Sequence, residues 1–150
     1  MNYHPILGKV ARERAEDMAE NGYYGGEDYG LPYPPHVDHD GFGPNYYICK
    51  AGYIIDPWIC EEAEEDPFIN TVESIGWGSG SSRSSPQDQL NGWLNSPGHR
   101  RHVLATSGPH EVASTNYGIG HAATGDSPDR PGRSASFWVF IAAPPPESSE

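Results

Sequence analysis

Seven histidines among 150 residues are the richest source of chemistry in this chain. His36, Asp38, His39 and Asp40 place two imidazoles and two carboxylates in one short run ending at Gly41, and His99, His102 and His110 follow far downstream. A single histidine is ordinarily a surface residue. Imidazoles from two distant segments that meet a carboxylate in one cleft would instead form a divalent-metal site, which spacing alone does not establish. No His-Glu-x-x-His is present, and this excludes a zincin-type protease. Asp38-His39-Asp40-Gly41 echoes the opening of a calcium loop, but the twelfth position counted from Asp38 is Cys49 rather than Glu. An EF-hand is therefore excluded. Residues 56–66 carry six carboxylates (Asp56, Glu61, Glu62, Glu64, Glu65 and Asp66) and read as a solvated acidic loop, with calcium binding the alternative. The serine-rich run 79–85 has no Gly-x-Ser-x-Gly elbow and reads as a flexible loop rather than a nucleophile. Cys49 and Cys60 leave two readings open. One is a local disulfide, suited to an exported protein and worth about 2–3 kcal/mol; the other is a pair of buried free thiols.

Elements must exist to position such groups, and the composition bounds them. The length suits one domain. Leu, Ile, Val and Phe make up only 24 residues and the formal net charge is -12, a pairing typical of disorder. Seventeen aromatic residues argue the other way. A folded domain with an aromatic core and much loop is expected, because Gly and Pro supply 33 positions. A pI near 4.8 makes a nucleic-acid groove improbable. No run approaches the roughly 18 apolar residues of a membrane span, and no basic n-region leads into an apolar stretch, so no signal peptide is read.

Along the chain, residues 4 to about 22 predict a helix. Pro5 suits its first turn, Ile6, Leu7, Val10, Ala11, Ala15, Met18 and Ala19 form its apolar stripe, and Asn21-Gly22 stops it. Residues 23–45 form a long loop without period, and a short helix begins weakly within 46–52. Residues 69–75 suit a short strand or turn that leads into a Gly/Ser run over 76–85. Ser85-Pro86-Gln87-Asp88 reads as a capping box for a second helix, with Leu90, Trp93 and Leu94 on its apolar face. Ser96-Pro97 ends that helix and caps a short third one through His99, Val103 and Leu104. Residues 116–123 and 134–143 alternate with period two and predict a long antiparallel hairpin across the breaker-rich stretch 124–133. The proline run 144–146 and the polar residues after it read as a tail or linker to a domain of residues 1–143.

Taken in order, the segment 7–19, His36-x-Asp38-x-Asp40-Gly41, Ala51-Gly52-Tyr53, Val72-Glu73-Ser74-Ile75, Gly78, the run Trp93-Leu94-Asn95-Ser96-Pro97-Gly98-His99-Arg100, Tyr117-Gly118-Ile119-Gly120 and Phe137-Trp138-Val139 resemble a bacterial-type CAP domain. That superfamily includes cysteine-rich secretory proteins, antigen five and pathogenesis-related proteins. The likeness spans residues 5 to 143, and its most specific piece is the Trp-x-x-Ser-Pro-Gly-His-Arg run. The resemblance implies an α/β (α+β) fold, a three-layer α-β-α sandwich with a central antiparallel sheet, long loops and an open cleft. It implies an extracellular or cell-surface protein and a metal set of His36, Glu73 and His99, with His39 and Ser96 lining the cleft. Two neutral imidazoles and a carboxylate, with water in the open position, would suit zinc ahead of calcium or magnesium. Ser74 stands where the family has Asn, Ser96 stands where it has a second glutamate, and the usual Asn-x-x-Arg before His4 is missing. A trimmed or divergent domain is the expectation. The function implied is binding of a divalent metal together with a small or lipid-like ligand. The alternatives are a metal-assisted peptidase or esterase with Glu73 as base, and a structural or adhesive module of a larger surface or phage protein.

Overall fold

The structure is a computed structural model that describes residues 2–24, 32–79, 85–104, 116–125 and 132–146. The expected helix is α1, Pro5–Asn21. His4 caps it by accepting the Ile6 N–H on Nδ1 at 3.2 Å, and Gly22 ends it in the left-handed region. Leu7, Val10, Ala11, Ala15 and Met18 are buried, as the stripe requires.

Four strands form one sheet: β1 (Asn2–Tyr3), β2 (Glu73–Ser79), β3 (Asn116–Thr124) and β4 (Ala135–Ala143), in the order β1-β3-β4-β2. β3 and β4 pair antiparallel from Asn116↔Ala143 to Thr124↔Ala135, which is the expected hairpin register. β2 pairs antiparallel with the other side of β4. The sheet is mixed rather than antiparallel, because β1 runs parallel to β3, held where the His4 N–H donates to the Tyr117 carbonyl at 2.8 Å.

β4 is buried along its whole length, and its alternation sorts two cores. Phe137, Val139 and Ile141 join the α1 stripe, whereas Trp138, Phe140 and Ala142 join Trp93 and Val103. Trp93 belongs to α4 (Pro86–Leu94) and Val103 to α5 (Pro97–Val103). Glycine lets α1 lie directly on β3: a Cβ at Gly118 would stand 2.1 Å from the Gly8 nitrogen, and one at Gly120 2.4 Å from the Ala11 carbonyl carbon.

Two expectations need correction. The acidic run is a helix, α3 (Pro57–Glu65), with Asp56 accepting the Trp58 N–H at 3.3 Å and Ala63 buried. It is tied to α2 (Pro44–Lys50) by a Cys49–Cys60 disulfide with Cα atoms 5.8 Å apart, so of the two cysteine readings the bridge is the one present. The Gly/Ser run does not begin at Gly76, because β2 continues to Ser79. Glycine is needed there for room, since a Cβ on Gly76 would lie 2.2 Å from the Gln89 Nε2 of α4. The Ser85 cap forms, accepting the Asp88 N–H at 3.2 Å, while Ser96 begins α5 without a side-chain cap bond. Pro144 is still held to the body, its carbonyl accepting the Tyr53 hydroxyl at 2.6 Å. His110, residues 80–84 of the serine run and the last four residues lie outside the described residues. Among the described residues no helix is long and apolar enough to cross a membrane.

Candidate functional site

The first two residues of β2 organise the site. Successive side chains of a strand point to opposite faces. Glu73 lies opposite Ile141, on the α1 side, and Ser74 lies opposite Phe140, on the α4 and α5 side. β2 is an edge strand of the sheet, so groups from both faces can meet around its end. Asn70 fixes that end by accepting the Val72 and Glu73 N–H groups on Oδ1 at 3.0 and 2.8 Å.

Glu73 has no exposed side-chain surface. Its Oε1 lies 2.9 Å from His36 Nδ1 and its Oε2 lies 3.4 Å from Arg14 Nε. An ionised carboxylate only accepts, so His36 Nδ1 carries a proton, and whenever the ring is neutral Nε2 keeps the lone pair. His36 sits at φ 72°, the only non-glycine residue at positive φ among those described. That conformation costs on the order of 1–3 kcal/mol and persists only where the surroundings fix it. Strain of this kind gathers at sites that bind.

On the other face, Ser74 Oγ stands 2.8 Å from His102 Nδ1 and 2.9 Å from His99 Nδ1. His102 is fully buried, and its Nε2 lies 3.2 Å from the Ala142 carbonyl. Burial pushes the His102 pKa down to about 4, against the Ala142 hydrogen bond, which favours the charged form. Burial also lowers the pKa of His99, helped by the charge of His36. Among the described residues, Nε2 of neither His36 nor His99 makes a hydrogen bond.

His102 thus makes stability depend on pH. The unfolded ring takes up a proton near pH 6.5 and the folded ring only near 4. The stabilisation is therefore full above about 6.5 and is lost as pH falls through that window, by an amount of about 3 kcal/mol. Urea melts at pH 7 and pH 4 should show this loss in the wild type and a clearly smaller one in His102→Phe. Equal losses in both proteins would assign the acid sensitivity elsewhere.

Behind Glu73, Arg14 joins the site to a polar frame. Its Nη1 donates to the Tyr23 hydroxyl at 2.7 Å; Tyr23 donates in turn to Asp17, and Tyr47 donates to Asp38. Burial opposes the Arg14 charge, but Glu73 with Tyr23, Asp38 and Asp17 outweighs it, so its pKa is raised. Burial raises the pKa of both phenols, which stay protonated donors. Asp38 Oδ1 accepts the Asp40 and Phe42 N–H groups at 3.0 and 2.9 Å, and the His39 N–H donates to Asp17 at 3.1 Å. The histidine-bearing turn is thereby clamped to α1. A cavity of about 190 Å³ lies on this side, lined by Val10, Glu13, Arg14, Asp17, Asp38 and Tyr47. Neither His36 nor His99 is among its lining residues, and Arg14 and Asp38 connect it to the site.

His36, Glu73 and His99 are therefore gathered around the start of β2, although 37 residues separate His36 from Glu73. His39 contributes its backbone, while its ring lies exposed 3.6 Å from Asp40. Ser96 begins α5, half-buried. Sequence reasoning missed Arg14, Ser74 and His102 as partners. Arg14 had a signal, since it lies on the apolar stripe three residues after Ala11; His102 follows His99 by one helical turn.

Among the described residues no group of three or more His, Cys, Asp or Glu is placed to hold a metal. Glu73 is spent on His36 and Arg14.

Comparison with known proteins agrees with this architecture. No curated protein and no solved structure matches the chain. The model of the cysteine-rich secretory protein family, CAP, matches residues 1–140. With a helix laid on a hairpin, an edge strand carrying Glu73 and a later short helix carrying His99, the chain belongs to the CAP family.

Proposed function

We propose that this chain is an extracellular binding module whose cleft offers the paired imidazoles of His36 and His99 to a divalent cation, zinc in particular, and to a small or lipid-like ligand that completes its coordination. The observation that carries this reading is the disposition of the two rings. Each has Nδ1 tied inside the protein, His36 to Glu73 and His99 to Ser74, which leaves Nε2 of each for a ligand. When bound, the cation supplies positive charge and open coordination positions. The chain's own residues supply orientation: Glu73 holds His36, Arg14 neutralises Glu73, and the Asp38 turn fixes the backbone that carries His36. The disulfide between α2 and α3 supports an oxidising compartment.

Binding is favoured over hydrolysis by the position of Glu73. A general base must reach the proton it abstracts, and this carboxylate is fully buried between a histidine and an arginine. Calorimetric titration with zinc tests the proposal. One site is expected in the wild type, absent in His36→Ala and in His99→Ala, and weaker at acid pH because the imidazoles must be unprotonated. Equal binding by all three proteins would reject it.

A further inference from the structure

We infer that Ser74 and His102 are positioning residues that dictate which nitrogen of His99 carries its proton. The argument starts at a group that has no choice. The Ala142 carbonyl can only accept, so the His102 nitrogen facing it at 3.2 Å, Nε2, is the protonated one. His102 is fully buried and among the described residues no carboxylate is hydrogen-bonded to it, so its ring is neutral and Nδ1 is a bare acceptor. The Ser74 hydroxyl, 2.8 Å away, has one proton, and that proton goes to His102 Nδ1. Toward His99 the same oxygen can then only accept. The 2.9 Å contact consequently requires a proton on His99 Nδ1, and Nε2 of the neutral ring is left with its lone pair.

The polarity is set by the backbone of β4 and passed outward through three groups. Ala142 is itself fixed, its N–H donating to the Val72 carbonyl at 2.9 Å, one residue before Glu73. The same stretch of strand thus bears on both cleft histidines, through Glu73 for His36 and through Ser74 for His99. With Asn in place of Ser74 the amide would present both a donor and an acceptor, and the direction would no longer follow from a single hydroxyl proton. This inference rests on the proposed function only in naming what the exposed lone pair is for. The tautomer itself belongs to the ligand-free protein.

Long-range nitrogen–proton correlation spectra of the ¹⁵N-labelled full chain, free of metal and at a pH where the rings are neutral, read the tautomers directly. The expected result is His99 protonated on Nδ1 and His102 protonated on Nε2. His102→Phe removes the acceptor, frees the Ser74 proton to point at His99, and should move His99 toward the Nε2-protonated form. His102→Gln offers Ala142 a donor and Ser74 an acceptor, and should restore the wild-type signature. Should the phenylalanine variant fail to fold, Ser74→Ala gives the same reading, since His99 then loses the acceptor that holds its proton on Nδ1. Wild-type His99 protonated on Nε2, or a signature unmoved by His102→Phe or Ser74→Ala, would overturn the inference. In a zinc titration of the same samples, His102→Phe should weaken binding by about 10–100-fold. A wild type with the expected tautomers but no zinc binding would leave this inference standing and reject the function proposed above.

Discussion

Replacing Arg14 with alanine should cost about 3–5 kcal/mol of folding stability, the range for removing one partner of a buried ion pair. Arg14 is 5% exposed, and its guanidinium lies between Glu73, at 3.4 Å, and the Tyr23 hydroxyl, at 2.7 Å. Its carbon sits 5.5 Å over the Tyr23 ring, so packing is lost along with charge. Without it, Glu73 is a carboxylate with no exposed surface and no cation beside it. The attraction itself does not account for the cost. Two buried charges gain little over apolar residues of the same shape, and the loss comes from leaving one of them alone. A double variant, Arg14→Met with Glu73→Gln, should therefore recover most of the loss, because the amide oxygen still accepts from His36 and neither position leaves a lone buried charge. Urea melts of the wild type, the single variant and the double variant check both statements. A single variant less than about 1 kcal/mol below wild type would mean that the pair is solvated as an ordinary surface bridge is.

Trp93→Ala should cost about 3–5 kcal/mol as well, through a different cause. Trp93 is 4% exposed and anchors the smaller core with Trp138, Phe140 and Ala142. Its indole N–H donates to the Ile75 carbonyl at 3.1 Å, and its ring centre is 5.9 Å from that of Phe140. Alanine leaves a cavity beneath α4 and removes one of the two side-chain hydrogen bonds that the Ile75 carbonyl accepts, the other coming from the Tyr24 hydroxyl at 3.3 Å. Trp93→Phe refills most of the volume but not the hydrogen bond, so its loss should stay near the 0.5–1.5 kcal/mol of one such bond, plus about 1 kcal/mol of repacking. Since a domain's stability is about 5–15 kcal/mol, the alanine variant is expected to melt well below the wild type by calorimetry. Equal melting of the alanine variant and the wild type would show that α4 is not docked through this residue.

Legibility in the sequence followed the range of each interaction. α1, the Ser85 cap and the β3–β4 hairpin were readable because period, caps and breakers are local. α3 was obscured by its charge: six carboxylates read as solvated loop, although Asp56-Pro57 is a sound cap and first turn. β2 was cut short because Gly76-Trp77-Gly78 looks like loop composition. Only the tertiary structure shows that Gly76 makes room for Gln89. The site divides in the same way. His36, Glu73 and His99 were reached through family resemblance, since no spacing rule links positions so far apart. The resemblance cast Glu73 as a ligand, and the structure buries it between His36 and Arg14. An arginine on an apolar helical stripe is a signal for a buried carboxylate partner, and the structure identifies that partner as Glu73. The histidine–serine–histidine chain had no local signature, because Ser74 and His102 are 28 residues apart.

In the function proposed above, two imidazoles and no carboxylate are what the cleft offers to a ligand. Anomalous diffraction at the zinc edge from a crystal of the full chain grown with zinc measures this most directly. The account predicts one interior peak within about 2.0–2.1 Å of Nε2 of both His36 and His99, with Glu73 still bonded to His36 Nδ1. A peak with a Glu73 oxygen in its coordination sphere, or no peak at these histidines, would contradict it.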